Sequence, residues 1–316
     1  MLNEPVDILS LHPIRKTKEQ KKAFRDDVIG YVKELGYQAY VEDGQLGAKN
    51  LIIGDAESAQ YLLTAHYDTP GTIGIPNKLA PCNIFYTGLV FGRNIMIGML
   101  FGFGVGALFG EGYNFAGIVF TCLFVLILLA LRFQLLPANK SNVNDNSSGV
   151  ITILEIARTL PQSHRGKVCF VLFDLEEWGL VGSSSYRKAH KQATEQQIVL
   201  NLDCVGDGDH IIFFPTKKAK QDRVLMNRVH RLGGWFGKKN ILLHQKGFSM
   251  FPSDQRNFPL GFGIAAFRKS GKIGYYCDKI HTSKDTVLDP TNVNLLRAAL
   301  TTLICEETGK EQKYGS

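Results

Sequence analysis

Lys167-Val168-Cys169-Phe170-Val171-Leu172-Phe173-Asp174-Leu175-Glu176-Glu177 is the stretch that decides the fold. Six apolar residues follow one another, and three carboxylates crowd the next four positions. A strand with one wet face alternates apolar and polar residues; this one does not. Burial on both faces is therefore expected, as in a sheet with helices packed on either side. The acidic cluster falls just past the strand's carboxyl end, where open α/β sheets gather functional groups. Adjacent glutamates alone are more often a solvated helix turn, so their weight depends on the rest of the chain.

Working outward, the same pattern recurs. Strand-like runs occur at Gln38–Val41, Leu51–Ile53, Tyr61–Thr64, Ile198–Leu202, Ile211–Phe214 and Ile264–Phe267. Helical periodicity marks Lys18–Leu35, stopped by Gly36, and Ser148–Leu160, where Val150, Leu154, Ala157 and Leu160 fall in step. Gly179–His190, Asp222–Leu232 and Thr291–Cys305 complete the helices. Strands alternating with helices predict an α/β fold: a mixed, mostly parallel twisted sheet with helices on both faces.

One segment breaks the pattern. From Ile84 to Pro137 the chain is almost wholly apolar, interrupted at Arg93-Asn94 and Gly110-Glu111-Gly112. Leu89–Phe109 and Phe115–Leu135 each reach the ~20 residues that span a bilayer if Arg93 and Arg132 snorkel to one interface. A two-helix transmembrane hairpin over residues 84–137 is expected, inserted into an α/β unit of residues 1–83 and 138–316. Membrane lipid is then a partner. Gly98, Gly102, Gly106 and Gly110 form a smooth stripe suited to close helix contact, including self-association. Lys78, Arg93, Arg132 and Lys140 flank the pair and Glu111 lies in the turn, so the α/β unit is expected to face the cytoplasm as part of an integral membrane protein. A pair of buried core helices is the plainer alternative.

The remaining composition narrows the function. The formal charge of +7 comes from scattered basic residues with no interleaved aromatics, which argues against a nucleic-acid partner. Six cysteines (Cys82, Cys122, Cys169, Cys204, Cys277 and Cys305) show no paired spacing, and Met1 to Lys22 has no apolar signal segment. Both features suit a reducing compartment.

Five polar clusters stand at strand ends or functional loops. They are His66-Tyr67-Asp68, Asn144-Asp145-Asn146-Ser147-Ser148-Gly149, Asp174-Leu175-Glu176-Glu177, Asp203 after Ile198–Leu202, and His281-Thr282-Ser283-Lys284-Asp285-Thr286. Histidines with several carboxylates suit zinc or a similar divalent ion. So many carboxylates together would repel one another; a pair of cations sharing a bridging carboxylate removes that objection.

This series, with Glu176-Glu177-Trp178-Gly179-Leu180-Val181-Gly182-Ser183 and the final histidine as its most specific parts, resembles the co-catalytic di-zinc aminopeptidases. That family includes bacterial leucyl aminopeptidases and the ectodomain of glutamate carboxypeptidase II. The resemblance covers about residues 15–80 and 138–308. It implies two zinc ions per chain, with His66 and Asp203 on one, Glu177 and His281 on the other, and Asp145 bridging. It also implies Glu176 as general base, Asp68 orienting His66, and a cis bond at Asp145-Asn146. Met250 replaces the tyrosine that some members aim at the reacting carbonyl, leaving Tyr275 or Tyr276 to substitute. Arg268 is a further candidate substrate contact.

The leading expectation is a zinc-dependent exopeptidase, an aminopeptidase acting on peptides. Alternatives on the same frame are a carboxypeptidase, a dipeptidase, a glutaminyl cyclase-like enzyme with one zinc, or a non-catalytic membrane receptor or adaptor. The receptor reading is weakened because all six chemical positions are kept.

Overall fold

The computed structural model describes residues 2–72, 78–108, 123 and 136–306. Ten strands form one mixed sheet: β1 (Ala39–Asp43), β2 (Lys49–Ile53), β3 (Tyr61–His66), β4 (Val168–Phe173), β5 (Ile198–Leu202), β6 (His210–Pro215), β7 (Gly234–Phe236), β8 (Lys239–Leu243), β9 (Leu260–Ser270) and β10 (Gly274–Tyr276). The order across it is β1-β2-β4-β3-β5-β9-β6-β8-β7, with β10 paired to β9.

Every residue of β3, β4 and β5 is buried. Alternate residues supply two cores. Leu63, Phe170, Leu172, Leu200 and Leu202 pack on the side of helices Ser148–Thr159 and Pro290–Cys305. Leu62, Val171, Phe173 and Val199 pack on the other side against Tyr186 of helix Val181–Ala189 and Phe258. Burying one Leu or Phe stabilises by roughly 1.5–3 kcal/mol, more than the ~1 kcal/mol full range of strand propensity, so burial selects the strand here.

The centre of the sheet, β4-β3-β5-β9, is parallel. The flanks are mixed: β1–β2, β2–β4, β6–β9, β7–β8 and β9–β10 are antiparallel, while β6–β8 is parallel. The expectation of a mostly parallel sheet is corrected accordingly. The short connections joining β1 to β2, β7 to β8 and β9 to β10 allow only antiparallel return, since a parallel crossover needs a dozen or more residues.

From β3 the chain crosses to β4 on one side, then returns past β3 to β5 on the other. This reversal opens a crevice at the carboxyl end of β3. His66 is the last residue of that strand.

The expected membrane hairpin is not upheld. Its first arm is helical over Ile84–Leu108, with the Asn83 carboxamide accepting the Tyr86 amide at its start, 2.9 Å away. Among the described residues, however, no helix is long and apolar enough to cross a membrane. The second arm, Phe115–Leu135, lies outside the described residues apart from Leu123. The integral-membrane placement, the cytoplasm-facing orientation and the lipid partner go with the hairpin. Gly98, Gly102 and Gly106 lie within the helix and Gly110 outside the described residues, and the reason for expecting self-association along them falls away.

Candidate metal centre

Asp145 sits between the two histidines. Its Oδ1 is 3.1 Å from His66 Nε2 and its Oδ2 is 2.7 Å from His281 Nε2. Asp203 Oδ1 lies 3.8 Å from the same His66 nitrogen, and Glu177 Oε1 lies 3.3 Å from the His281 nitrogen. Two triads of potential ligands result: His66, Asp145 and Asp203, and Asp145, Glu177 and His281, each with its ligand atoms within 4.8 Å. A third grouping, His66, Glu176 and Glu177, connects them. Imidazole nitrogens and carboxylate oxygens at this spacing are a donor set that suits zinc.

The ends of central strands position four of the six side chains. β3 delivers His66, β4 leads to Glu176 and Glu177, and β5 leads to Asp203. Asp145 lies in the turn Val143–Ser147 that opens helix Ser148–Thr159, and the Asp145-Asn146 peptide bond is cis. Leu175, Cys204 and His281 have positive φ, which turns the chain sharply beside Glu176, Asp203 and the final loop.

The glycines of the motif are there for close approach. A Cβ on Gly182 would stand 2.1 Å from the Asp174 carbonyl, and one on Gly149 would stand 2.5 Å from the Leu202 carbonyl. Either would push a helix away from the strand end it serves.

A hydrogen-bonded frame surrounds the triads. Asp68 accepts the amides of Glu176 (3.0 Å) and Glu177 (3.2 Å), and its Oδ1 is 3.5 Å from His66 Nδ1. It therefore ties the glutamate pair to the histidine. Asn144 Oδ1 accepts the amides of Gly206 and Asp207, while Asn146 Oδ1 accepts those of Gly149 and Cys204. The asparagines flanking Asp145 thus fasten its loop to the chain beyond Asp203. Behind them, the fully buried Arg15 donates to the carbonyls of Tyr67 and His12 and to Ser147 Oγ.

Charge is concentrated here. Burial raises Glu176 well above the usual glutamate range; Glu177, Asp254 and Asp203 push the same way, against the pull of His66. Burial and Asp145 also raise Glu177, against His281. Asp254, buried nearby, is pushed up to about 7 by burial with Asp68 and Asp203 adding to it, while His66 and Ser183 oppose. Burial disfavours a charge on His66, yet Glu176, Asp145, Asp203 and Asp68 together raise its affinity for a proton well above normal. His281 behaves likewise beside Glu177 and Asp145, which outweigh its burial. The centre is an anionic pocket that favours cations.

A cavity of about 350 Å³ opens over these groups. His66, Asp145, Glu176, Glu177, Asp203 and His281 form its floor; Leu79, Leu180, Phe251, Pro252 and Ile280 form apolar walls. Tyr275, Tyr276 and Arg268 are not among the described lining residues. Arg268 pairs with Asp207 at 2.7 Å, Tyr276 lies under Lys78, and Tyr275 lies against Lys269 and His210. Met250, at the position of the missing tyrosine, is exposed at the surface.

Residues 136–304, more than half of the chain, match the sequence pattern of peptidase family M28. The chain belongs to that family. Aminopeptidase YwaD of Bacillus subtilis (strain 168) is 41% identical over 66 residues, which are 20% of this chain and only 14% of that protein. In fold, the chain resembles a Zn-dependent exopeptidase from Parabacteroides distasonis ATCC 8503 (TM-score 0.59, 17% identity, 96% of both chains). It also resembles glutaminyl cyclase from Bacteroides thetaiotaomicron (TM-score 0.58, 15% identity, 96% of this chain and 95% of that one). Likeness running through nearly the whole of these chains goes against a membrane unit inserted in this one.

Proposed function

We propose that this M28 chain is a two-zinc aminopeptidase that removes N-terminal residues from peptides. The observation that carries the reading is the division of Asp145 between His66 and His281, one carboxylate oxygen toward each. His66, Asp203 and Asp145 would hold one ion, and His281, Glu177 and Asp145 the other. Bound there, zinc would supply Lewis-acid polarisation of the peptide carbonyl and a lowered pKa for the attacking water.

The chain's own residues do the rest. Glu176 takes the proton of the attacking water and passes it to the leaving amine. It faces the cavity beside the triads, and burial among carboxylates raises its affinity for a proton. Asp68 fixes the backbone of Glu176 and the ring of His66 together. The described lining contains no Lys or Arg to meet a C-terminal carboxylate at the floor, which favours an aminopeptidase over a carboxypeptidase. The apolar walls suit an apolar N-terminal side chain.

A glutaminyl cyclase-like reaction is the second reading, supported by the shared fold alone. Incubating the zinc-loaded protein with Leu-Gly-Gly and with an N-terminal Gln peptide separates the two. Release of free leucine supports the aminopeptidase; pyroglutamate formation without leucine release overturns it.

A further inference from the structure

A second cavity of about 420 Å³ adjoins the metal cavity, and Phe251 lines both. Phe251 is firmly held: its ring stacks on Phe214 at 5.3 Å, and its carbonyl accepts the Gln255 side chain at 2.9 Å. The second cavity differs in chemistry from the first. Lys217 and Arg256 line it, with Thr216, Ser249 and Gln255 as neutral polar groups, and no carboxylate lines it among the described residues. Neither Lys217 nor Arg256 forms an ion pair among the described residues, whereas neighbouring Lys218 is paired to Glu195. Two uncommitted cations thus stand beyond one aromatic wall from an anionic floor.

We infer that this cavity is a subsite for the C-terminal carboxylate of a short peptide whose N-terminus lies over the metal centre. The inference rests on the aminopeptidase reading and deepens it. An extended peptide advances about 3.4 Å per residue, so the length at which a free acid is preferred reads the path from the metal centre past Phe251 to Lys217 and Arg256. The first peptide bond lies over the metal centre and the α-carboxylate meets the cations. The substrates are short oligopeptides with free carboxyl ends, selected by length as well as by first residue.

The test compares kcat/KM for the series Leu-Gly to Leu-Gly-Gly-Gly-Gly as free acids and as C-terminal amides, using the zinc-loaded full chain. Two partly exposed charge pairs give a free-acid preference of up to about tenfold at the matching length. Lys217→Gln with Arg256→Gln brings the acid-to-amide ratio to one, and Arg256→Lys alone keeps most of it. Equal kcat/KM for acid and amide at every length, with leucine released from both, overturns the subsite while leaving the aminopeptidase reading intact. Release of no leucine from any member overturns that reading, and the subsite falls with it.

Discussion

The Asp285 carboxylate holds the loop of Asp145 from behind: Oδ1 accepts the Asn144 amide at 2.9 Å and Oδ2 accepts the Asp145 amide at 3.0 Å. Asp285 lies four residues beyond His281, so one loop supplies a histidine to the centre and also braces the carboxylate facing it. Burial and the nearby Asp145 push the Asp285 carboxyl up to about 7, while the two amides and His281 counter the rise. Removing the brace frees Asp145 to rotate away from both histidines. Asp285→Ala is expected to weaken zinc binding by about 10–100-fold, the usual cost of losing a residue that orients a metal ligand. Competition against a zinc chelator checks this; unchanged affinity would show that the loop holds itself.

Glu176 and Glu177 are neighbours with different predicted tasks. Glu176→Gln keeps the shape and removes the base, so kcat falls by about 10²–10⁴-fold with zinc content intact. Glu177→Gln is expected to lower zinc content as well. In the parent protein, Glu176 must be ionised to act, and its pKa is raised by burial and by Glu177, Asp254 and Asp203. A Glu176→Gln variant with parental kcat would remove Glu176 from the chemistry.

Arg15 is buried with no carboxylate in direct contact among the described residues, and burial lowers its pKa to about 10 despite Asp68 and Asp145 nearby. Its donors satisfy the Tyr67 and His12 carbonyls and Ser147. Arg15→Met leaves these acceptors unpaired at about 1 kcal/mol or more each, a loss of roughly 3 kcal/mol in urea unfolding. A change below about 0.5 kcal/mol, the ordinary range for a surface substitution, would contradict this role.

Far from the centre, His190 Nε2 lies 2.6 Å from Glu42 and its Nδ1 pairs with Glu57. Burial opposes its charge, but the two glutamates prevail and raise its pKa above 6.5. A raised folded-state pKa stabilises fully below the unfolded value and is lost as pH rises through the folded one. His190→Gln should therefore cost more at pH 6 than at pH 9, by under about 1 kcal/mol because Glu57 is exposed. Thermal melts of both proteins at the two pH values read the difference; a larger cost at pH 9 would reverse the assignment.

Much of this architecture was legible in the sequence because burial leaves a pattern. Val168–Phe173 could only be a strand covered on both faces, and the clusters around His66, Asp145, Glu177, Asp203 and His281 follow from strand ends. β7 was not legible: Trp235 and Phe236 are exposed, so this strand lacks the buried periodicity that marks one. Asp285, Arg15 and Asn144 were missed as positioning residues because each acts across long sequence separations. The distance from Asp285 to Asn144 along the chain is 141 residues, and no local spacing encodes such a bond. The segment from Ile84 misled because apolar content measures a preference for leaving water, not which apolar surroundings receive it.

The central claim is that Asp145 is shared between two metal ions. Elemental analysis of zinc per chain, on the parent protein and on Asp145→Ala, tests it most directly. The account predicts two zinc ions per chain in the parent and loss of both in the variant, since each triad loses a ligand. A parent that binds one zinc at saturation, or a variant that keeps two, would contradict it.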